Sequence, residues 1–288
     1  MDFLQLDVFA EGAFRGNPLA VFPEASSLST KQMQSVATEM NLSETAFVTD
    51  VASDSYSVRI FTPQEELPFA GHPTLGTAWA LRKLGKIDAD EVQQLSRAGP
   101  TTVSFRGDEV WFRRRGDAHD DLRRRDPEAG RKIAKALGVV PAEIGLEPRE
   151  LGRSLDRLHP AEADVGIRQL LVPLRDQAAL ARCRPAPHLV DAVGEAEGAY
   201  CFTATGAGVV RARGFFPGLG IAEDPATGSA AACLGLYLSA RLGPIDVVVH
   251  QGVEMGRPSR LLVKAASDHV EVGGHCVLIL EGSLVTLP

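Results

Sequence analysis

The chain has 288 residues, 44% hydrophobic and 23% charged, with 30 Lys and Arg against 37 Asp and Glu, a formal net charge of −7. This is ordinary globular composition, and the length suits one large domain or two smaller ones. The acidic balance argues against nucleic acid as a partner, because a polyanion binder carries a basic excess or stripe. A small anionic substrate stays open, since one Arg and a few backbone N–H groups suffice for a carboxylate.

The opening MDFLQLDVFAEG lacks a basic flank followed by a long apolar run, so no signal peptide is expected. No apolar run approaches the roughly 18 residues that cross a bilayer. A cytoplasmic protein is the expectation. Cys183, Cys201, Cys233 and Cys276 form no CxxC pair and have no His cluster beside them. They read as small core residues rather than as a zinc site or a disulfide framework.

Alternation predicts a strand over Phe3–Phe9, and Leu19–Phe22 is a short apolar run after a Gly-Asn-Pro turn. Ser29-Thr30-Lys31-Gln32 has the form of a capping box and opens a helix to about Met40. Ala46–Thr49 and Ser55–Phe61 read as strands. Thr101–Phe105 and Glu109–Arg113 flank Arg106-Gly107-Asp108, a hairpin signal. Arg113–Arg125 is dense in Arg and Asp without apolar periodicity, and reads as a solvated crossover between lobes. A helix over Pro127–Leu137 closes at Gly138. Val165–Leu174 reads as a strand, Pro187–Val193 as helical, and Ala199–Thr203 and Val209–Phe216 as strands. Ile245–Leu287 reads as mostly β.

An internal similarity organises the chain. Residues 59–85 read RIFTPQEELPFAGHPTLGTAWALRKLG, and residues 213–243 read RGFFPGLGIAEDPATGSAAACLGLYLSARLG. Both run from Arg and an aromatic through an acidic-apolar linker to [His/Asp]-Pro-x-x-Gly-[Thr/Ser]-Ala and an apolar helix ending Leu-Gly. His72 then corresponds to Asp224, Gly76 to Gly228 and Thr77 to Ser229. Two equivalent lobes follow, one from about 1–113 completed by a C-terminal strand at 279–288, the other over 114–278. A cleft between them would receive one copy of the motif from each side.

The motif suits chemistry on an anion. Pro is tolerated in a first helical turn, and the first backbone N–H groups of a helix lack intrahelical partners. With the helix dipole they favour negative charge. Gly76 and Gly228 would allow close approach, and Thr77 and Ser229 would add hydroxyls. Thr74–Leu84 and Ser229–Leu242 are apolar nearly all round, as expected of buried helices wrapped by short strands. His72 and Asp224 are titratable groups at the mouths of these helices, well placed for proton transfer. Glu44 lies in Asn41-Leu42-Ser43-Glu44-Thr45-Ala46-Phe47, a polar loop between a helix and a strand. Other chemistries are weak. Gly206-Ala207-Gly208 is followed by Val209-Val210-Arg211 and is no dinucleotide fingerprint, Ser229 sits in no GxSxG elbow, and no HExxH occurs.

Five stretches resemble the PhzF-like phenazine-biosynthesis proteins, which share a fold with diaminopimelate epimerase and proline racemase. They are DVFAEGAFRGNPLAVF (7–22), NLSETAFV (41–48), ELPFAGHPTLGTAWAL (66–81), EDPATGSAAACL (223–234) and HQGVEMGRPSR (250–260). The resemblance implies an α/β fold of the α+β kind, with two pseudo-symmetric lobes. Each would be a mostly antiparallel barrel-like sheet around a central helix, with the active site between them. It implies Glu44, His72 and Asp224 as catalytic residues, and Gly71, Gly228 and Ser229 as substrate-binding residues. To these the motifs add Thr77 and Gln251, with His250 and Arg257 as possible neighbours of the substrate.

The implied reaction moves a proton and a double bond in a small carboxylated metabolite, amino-acid-like or a cyclohexadiene, by Glu acid/base catalysis. It needs no cofactor and no metal, and these proteins are typically homodimers. Lyase or hydrolase chemistry, or non-catalytic small-molecule binding, would use the same scaffold. The racemase branch carries one Cys just before the Gly-x-x-Gly of each half. Here Phe69-Ala70-Gly71-His72 and Glu223-Asp224-Pro225-Ala226 contain none, which disfavours two-thiol racemisation.

Overall fold

The computed structural model describes residues 1–122, 126, 128–151 and 156–288; the expected crossover residues 123–125 and Pro127, the expected start of a helix, lie outside them. The chain divides into two compact units, Met1–Arg114 with Val272–Pro288, and Arg115–Glu271.

In the first unit β1 (Asp2–Val8) pairs antiparallel with both β2 (Asn17–Phe22) and the C-terminal strand Cys276–Ser283. The chain therefore returns to this unit ahead of residue 279, because the whole of that last strand is needed to cover β1. Phe9 ends β1 rather than belonging to it, since its φ of +60° breaks the extended run. Helix α1 (Thr30–Met40) opens with the expected capping box. The Ser29 side chain accepts the Gln32 N–H, and Gln32 Oε1 accepts the Ser29 N–H at 3.0 Å. Such a cap is worth about 1 kcal/mol. The helix buries Met33, Val36 and Ala37 against Phe22, Phe47 and Phe61 on one face of the sheet.

Beyond β2 come β3 (Glu44–Val51), parallel to it, then β4 (Ser55–Phe61), antiparallel to β3. β4 pairs on its other side with the short β5 (Glu66–Leu67) and, in parallel, with β6 (Glu91–Ser96). β7 (Gly99–Arg106) and β8 (Glu109–Arg114) complete the set as the expected hairpin, tied by Arg106 opposite Glu109. The second unit repeats this order. β9 (Asp117–Asp121), β10 (Ala161–Asp164) and β11 (Arg168–Pro173) are successively antiparallel. β12 (Ala199–Gly206) is parallel to β11, and β13 (Val209–Phe216) antiparallel to β12. β13 pairs on its far side with β14 (Ile221–Asp224) and, in parallel, with β15 (Ile245–Gln251); β16 (Ser259–Ala265) is antiparallel to β15. Each unit is thus mostly antiparallel, with parallel steps at the same two places.

The expected single strand over Val165–Leu174 is instead the second half of a hairpin. Gly166, with φ of +99°, turns the chain between β10 and β11. Three helices cover the outer face of β11 and β12: α3 (Ala129–Leu137), closed by Gly138, α4 (Gln177–Arg182) and α5 (Leu189–Val193). At the centre of the first unit α2 (Gly71–Lys83) touches β1, β2, β3, β7, β8 and the C-terminal strand. At the centre of the second, α6 (Gly228–Leu242) touches β9, β10, β11, β15 and β16. Of their residues, 10 of 13 and 13 of 15 are buried, which is why both sequences are apolar on every face. All four cysteines are buried. Among the described residues no helix is long and apolar enough to cross a membrane.

Candidate active site

In the first unit the parallel pairing of β2 and β3 sets Leu19 opposite Glu44, so the start of β2 and the start of β3 lie side by side. The turn into β2 is held by Asp7, whose carboxylate accepts the Phe14 N–H at 2.6 Å, with Phe14 itself in the left-handed region at φ +64°. This turn delivers Asn17, whose Nδ2 is 3.2 Å from His72 Nδ1. His72 is the second residue of α2, and its Nε2 lies 3.4 Å from Glu44 Oε2. Glu44 is 8% exposed, His72 3% and Asn17 0%.

The two side chains do not form an ion pair. Burial pushes the His72 imidazole from its ordinary 6.5 down to about 3, against the opposing pull of a hydrogen bond with the Pro18 carbonyl. The ring is therefore neutral at physiological pH. A buried carboxyl group beside a neutral imidazole suits proton transfer, because the imidazole can hydrogen-bond a bound molecule without adding fixed charge.

In the second unit Asp224 ends β14 and is 4% exposed. Thr227 Oγ1 lies 2.6 Å from Asp224 Oδ2. Gln251, the last residue of β15, contacts the Thr227 N–H, Thr227 Oγ1 and the Asp224 carbonyl at 3.1, 3.0 and 2.8 Å, and Tyr200 OH lies 2.8 Å from its Oε1. Burial and the nearby Asp224 carboxylate push the Tyr200 hydroxyl far above its ordinary range, so it stays protonated. The first N–H groups of α6, at Gly228 and Ser229, precede the first intrahelical bond, Ala231 N–H to Thr227 carbonyl at 2.9 Å.

A duplicated ion pair stands behind both helices. Arg59 makes a fork onto Glu66 at 2.8 and 2.7 Å, and Arg213 makes the same fork onto Glu223 at 2.8 and 2.7 Å. Each guanidinium also lies over a Phe ring two residues on, Phe61 or Phe215. Arg213 further donates to the carbonyls of Leu180 and Cys183, at the end of α4.

This equivalence exposes an asymmetry. Phe47 pairs with Arg59 and Cys201 with Arg213, so Glu44, three residues before Phe47, matches position 201 − 3 = 198. That residue is Gly198, and a Cβ there would meet the Phe215 carbonyl oxygen and a Phe216 ring carbon, both at 2.3 Å. At this position the second unit has no room for a counterpart of Glu44.

The structure corrects parts of the motif reading. In the first unit the helix begins at Gly71, five residues before Gly76, because Pro73 fits within its first turn. Gly76 and Thr77 therefore lie one to two turns inside α2 rather than at its mouth. Gly76 serves packing: a Cβ would meet Leu19 Cδ2 at 2.4 Å and Val8 Cγ2 at 2.9 Å. Thr77 is 0% exposed. The group at that mouth is Gly71 with His72. In the second unit the strand runs up to Asp224 and the helix starts at Gly228, so Gly228 and Ser229 do occupy a helix mouth. Gln251 is 0% exposed, and its amide is hydrogen-bonded to Tyr200, Thr227 and the Asp224 carbonyl. His250 is half-buried on β15, and the Arg257 N–H closes the following turn onto the Gly252 carbonyl at 3.0 Å. Motif reading overlooked Asn17, Thr227 and Tyr200; the first two lie within the quoted stretches, while nothing near Tyr200 marks it.

The model of the phenazine biosynthesis-like protein family matches residues 6–282. The chain belongs to that family. It is 36% identical to a trans-2,3-dihydro-3-hydroxyanthranilate isomerase of Pseudomonas aeruginosa, over 97% of this chain and 98% of that one. It is 35% identical to an uncharacterized isomerase of Pasteurella multocida, over 97% and 92% of the two chains. The solved structure of a predicted epimerase from Pseudomonas aeruginosa superposes with a TM-score of 0.81 at 32% identity, covering 99% of each chain. The protein is an isomerase with the mixed α/β, two-lobed fold of this family.

Proposed function

We propose that the isomerase moves a proton, and with it a double bond, within a small carboxylated metabolite, using Glu44 as its only acid/base. The observation that carries this is the buried contact of Glu44 with neutral His72, together with the absence of space for a second acid at Gly198. One base favours removing a proton from a carbon alpha or vinylogous to an activating group and returning it elsewhere on the same face. Two bases on opposite faces would instead suit racemisation.

In this reading Glu44 takes the proton as carboxylate and delivers it as the conjugate acid. His72 hydrogen-bonds the substrate and the charge that develops on it. Asp224 orients a substrate amino or hydroxyl group, and Gly71, Gly228 and Ser229 are substrate-binding residues whose place at helix starts suits a carboxylate. The substrate class is amino-acid-like or a cyclohexadiene carboxylate. The compound named for the Pseudomonas aeruginosa relative, trans-2,3-dihydro-3-hydroxyanthranilate, is the first to test. The same reading has the protein acting in the cytoplasm as a homodimer without nucleic acid, in line with its acidic composition.

The test is proton exchange followed by NMR. The protein is incubated in D₂O with that compound and a panel of small carboxylated and amino-acid-like metabolites, with Glu44→Gln as control. Deuterium entering one carbon with wild type and not with Glu44→Gln supports the assignment. Equal incorporation by both proteins would remove Glu44 from the chemistry.

A further inference from the structure

The hydrogen bonds around Asp224 have a direction that two backbone groups dictate. The Thr227 N–H can only donate, and it lies 3.1 Å from Gln251 Oε1. The Asp224 backbone carbonyl can only accept, and it lies 2.8 Å from Gln251 Nε2. These two contacts settle which end of the amide is oxygen. Nε2 also lies 3.0 Å from Thr227 Oγ1, and an amide NH₂ only donates, so the threonine oxygen accepts there. The one hydroxyl proton of Thr227 is then left for Asp224 Oδ2, 2.6 Å away. By the same logic Tyr200 donates to Gln251 Oε1 at 2.8 Å. Both amide hydrogens and both lone pairs of Gln251 are thereby used, and Gln251 and Tyr200 are 0% exposed.

We propose that Thr227 is a positioning residue for Asp224, its hydroxyl aimed at the carboxylate by Gln251, and that neither Gln251 nor Tyr200 touches the substrate. The inference rests on the reading that Asp224 engages substrate. A similar trio in the first unit makes the contrast. There Tyr56 OH donates to Gln94 Oε1 at 3.0 Å and Gln94 Nε2 to Thr74 Oγ1 at 2.9 Å, but the Thr74 hydroxyl donates to the Ala70 carbonyl at 2.8 Å. That set ends on a backbone carbonyl at the start of α2. The set in the second unit ends on a carboxylate, which it holds as a hydrogen-bond acceptor in one rotamer.

The experiment is a double-mutant cycle on Thr227 and Asp224, read by steady-state kinetics on trans-2,3-dihydro-3-hydroxyanthranilate and by urea unfolding, which needs no substrate. Thr227→Val is expected to lower kcat/KM by about 10- to 100-fold, the factor that a hydrogen bond to a charged group carries. Thr227→Ser, which keeps the hydroxyl, is expected to recover most of it. In an Asp224→Asn background Thr227→Val should have almost no further effect, because it acts through the carboxylate. Gln251→Glu puts an acceptor where Nε2 donates, and should lower the same kinetic parameter as Thr227→Val. A purely structural threonine would give additive losses in both readouts, and additivity would overturn the proposal. An impaired Asp224→Asn beside an unaffected Thr227→Val would overturn this inference alone. An unaffected Asp224→Asn would overturn both it and the role assigned to Asp224.

Discussion

The neutrality of His72 has a consequence for acid stability that can be worked through. Its folded-state pKa is about 3 against 6.5 in the unfolded chain. Between those values the unfolded state binds a proton that the folded state refuses, so folding stability rises with pH across this window. The contribution is fully present above about pH 6.5 and is lost as pH falls towards about 3, where the accumulated loss reaches about 5 kcal/mol. Going from pH 7 to about pH 4.5 should remove about 2–3 kcal/mol through this one residue. Urea unfolding of wild type and His72→Gln at both pH values isolates the effect, because titrations elsewhere in the chain are common to both proteins. His72→Gln is less stable or equal at pH 7, but it should lose about 2–3 kcal/mol less on acidification. In parallel, the His72 ring proton in the NMR spectrum should not titrate above about pH 4 while the protein stays folded. If His72→Gln lost as much stability as wild type on acidification, the imidazole would not be held neutral by burial, and its pairing with Glu44 would have to be redrawn as an ion pair.

Glu44→Gln should lower turnover by about 100- to 10,000-fold with little change in melting temperature, measured by steady-state assay and calorimetry. Gly76→Ala forces a Cβ against Leu19 and Val8 in a filled core, and should destabilise by about 1–3 kcal/mol in urea unfolding. Arg213→Met strands Glu223 and the carbonyls at the end of α4, and should lower stability by about 3–5 kcal/mol. The equivalent Arg59→Met should cost less in the same assay, because the Arg59 side chain is 27% exposed against 5% for Arg213.

Much of the fold was legible because it is local. The capping box at Ser29 and Gln32, the hairpin at Gly107 and the glycine closing α3 each depend on residues within one turn of each other. The two buried helices announced themselves by having no polar face, and the duplicated Arg, Pro and Gly positions disclosed two similar units. The misreadings came where local signals were ambiguous. An apolar run with a glycine near its start could be one strand or a hairpin, and Gly166 made it a hairpin. The helix expected from Thr74 begins three residues earlier, at Gly71, with Pro73 in its first turn.

From the sequence alone, the motif residues Glu44, His72 and Asp224 could be named and the two units recognised. Tertiary structure decided what those residues meet. His72 reaches Asn17 across 55 positions and Tyr200 reaches Gln251 across 51. No local preference encodes such pairs, since strand register and helix placement create them. The same register gave Gln251 its protein partners, matched Glu44 with a glycine in the second unit, and stripped water from His72 so that it stays neutral. Burial and hydrogen-bond direction belong to the folded arrangement, where polar groups far apart in the chain must satisfy one another away from solvent.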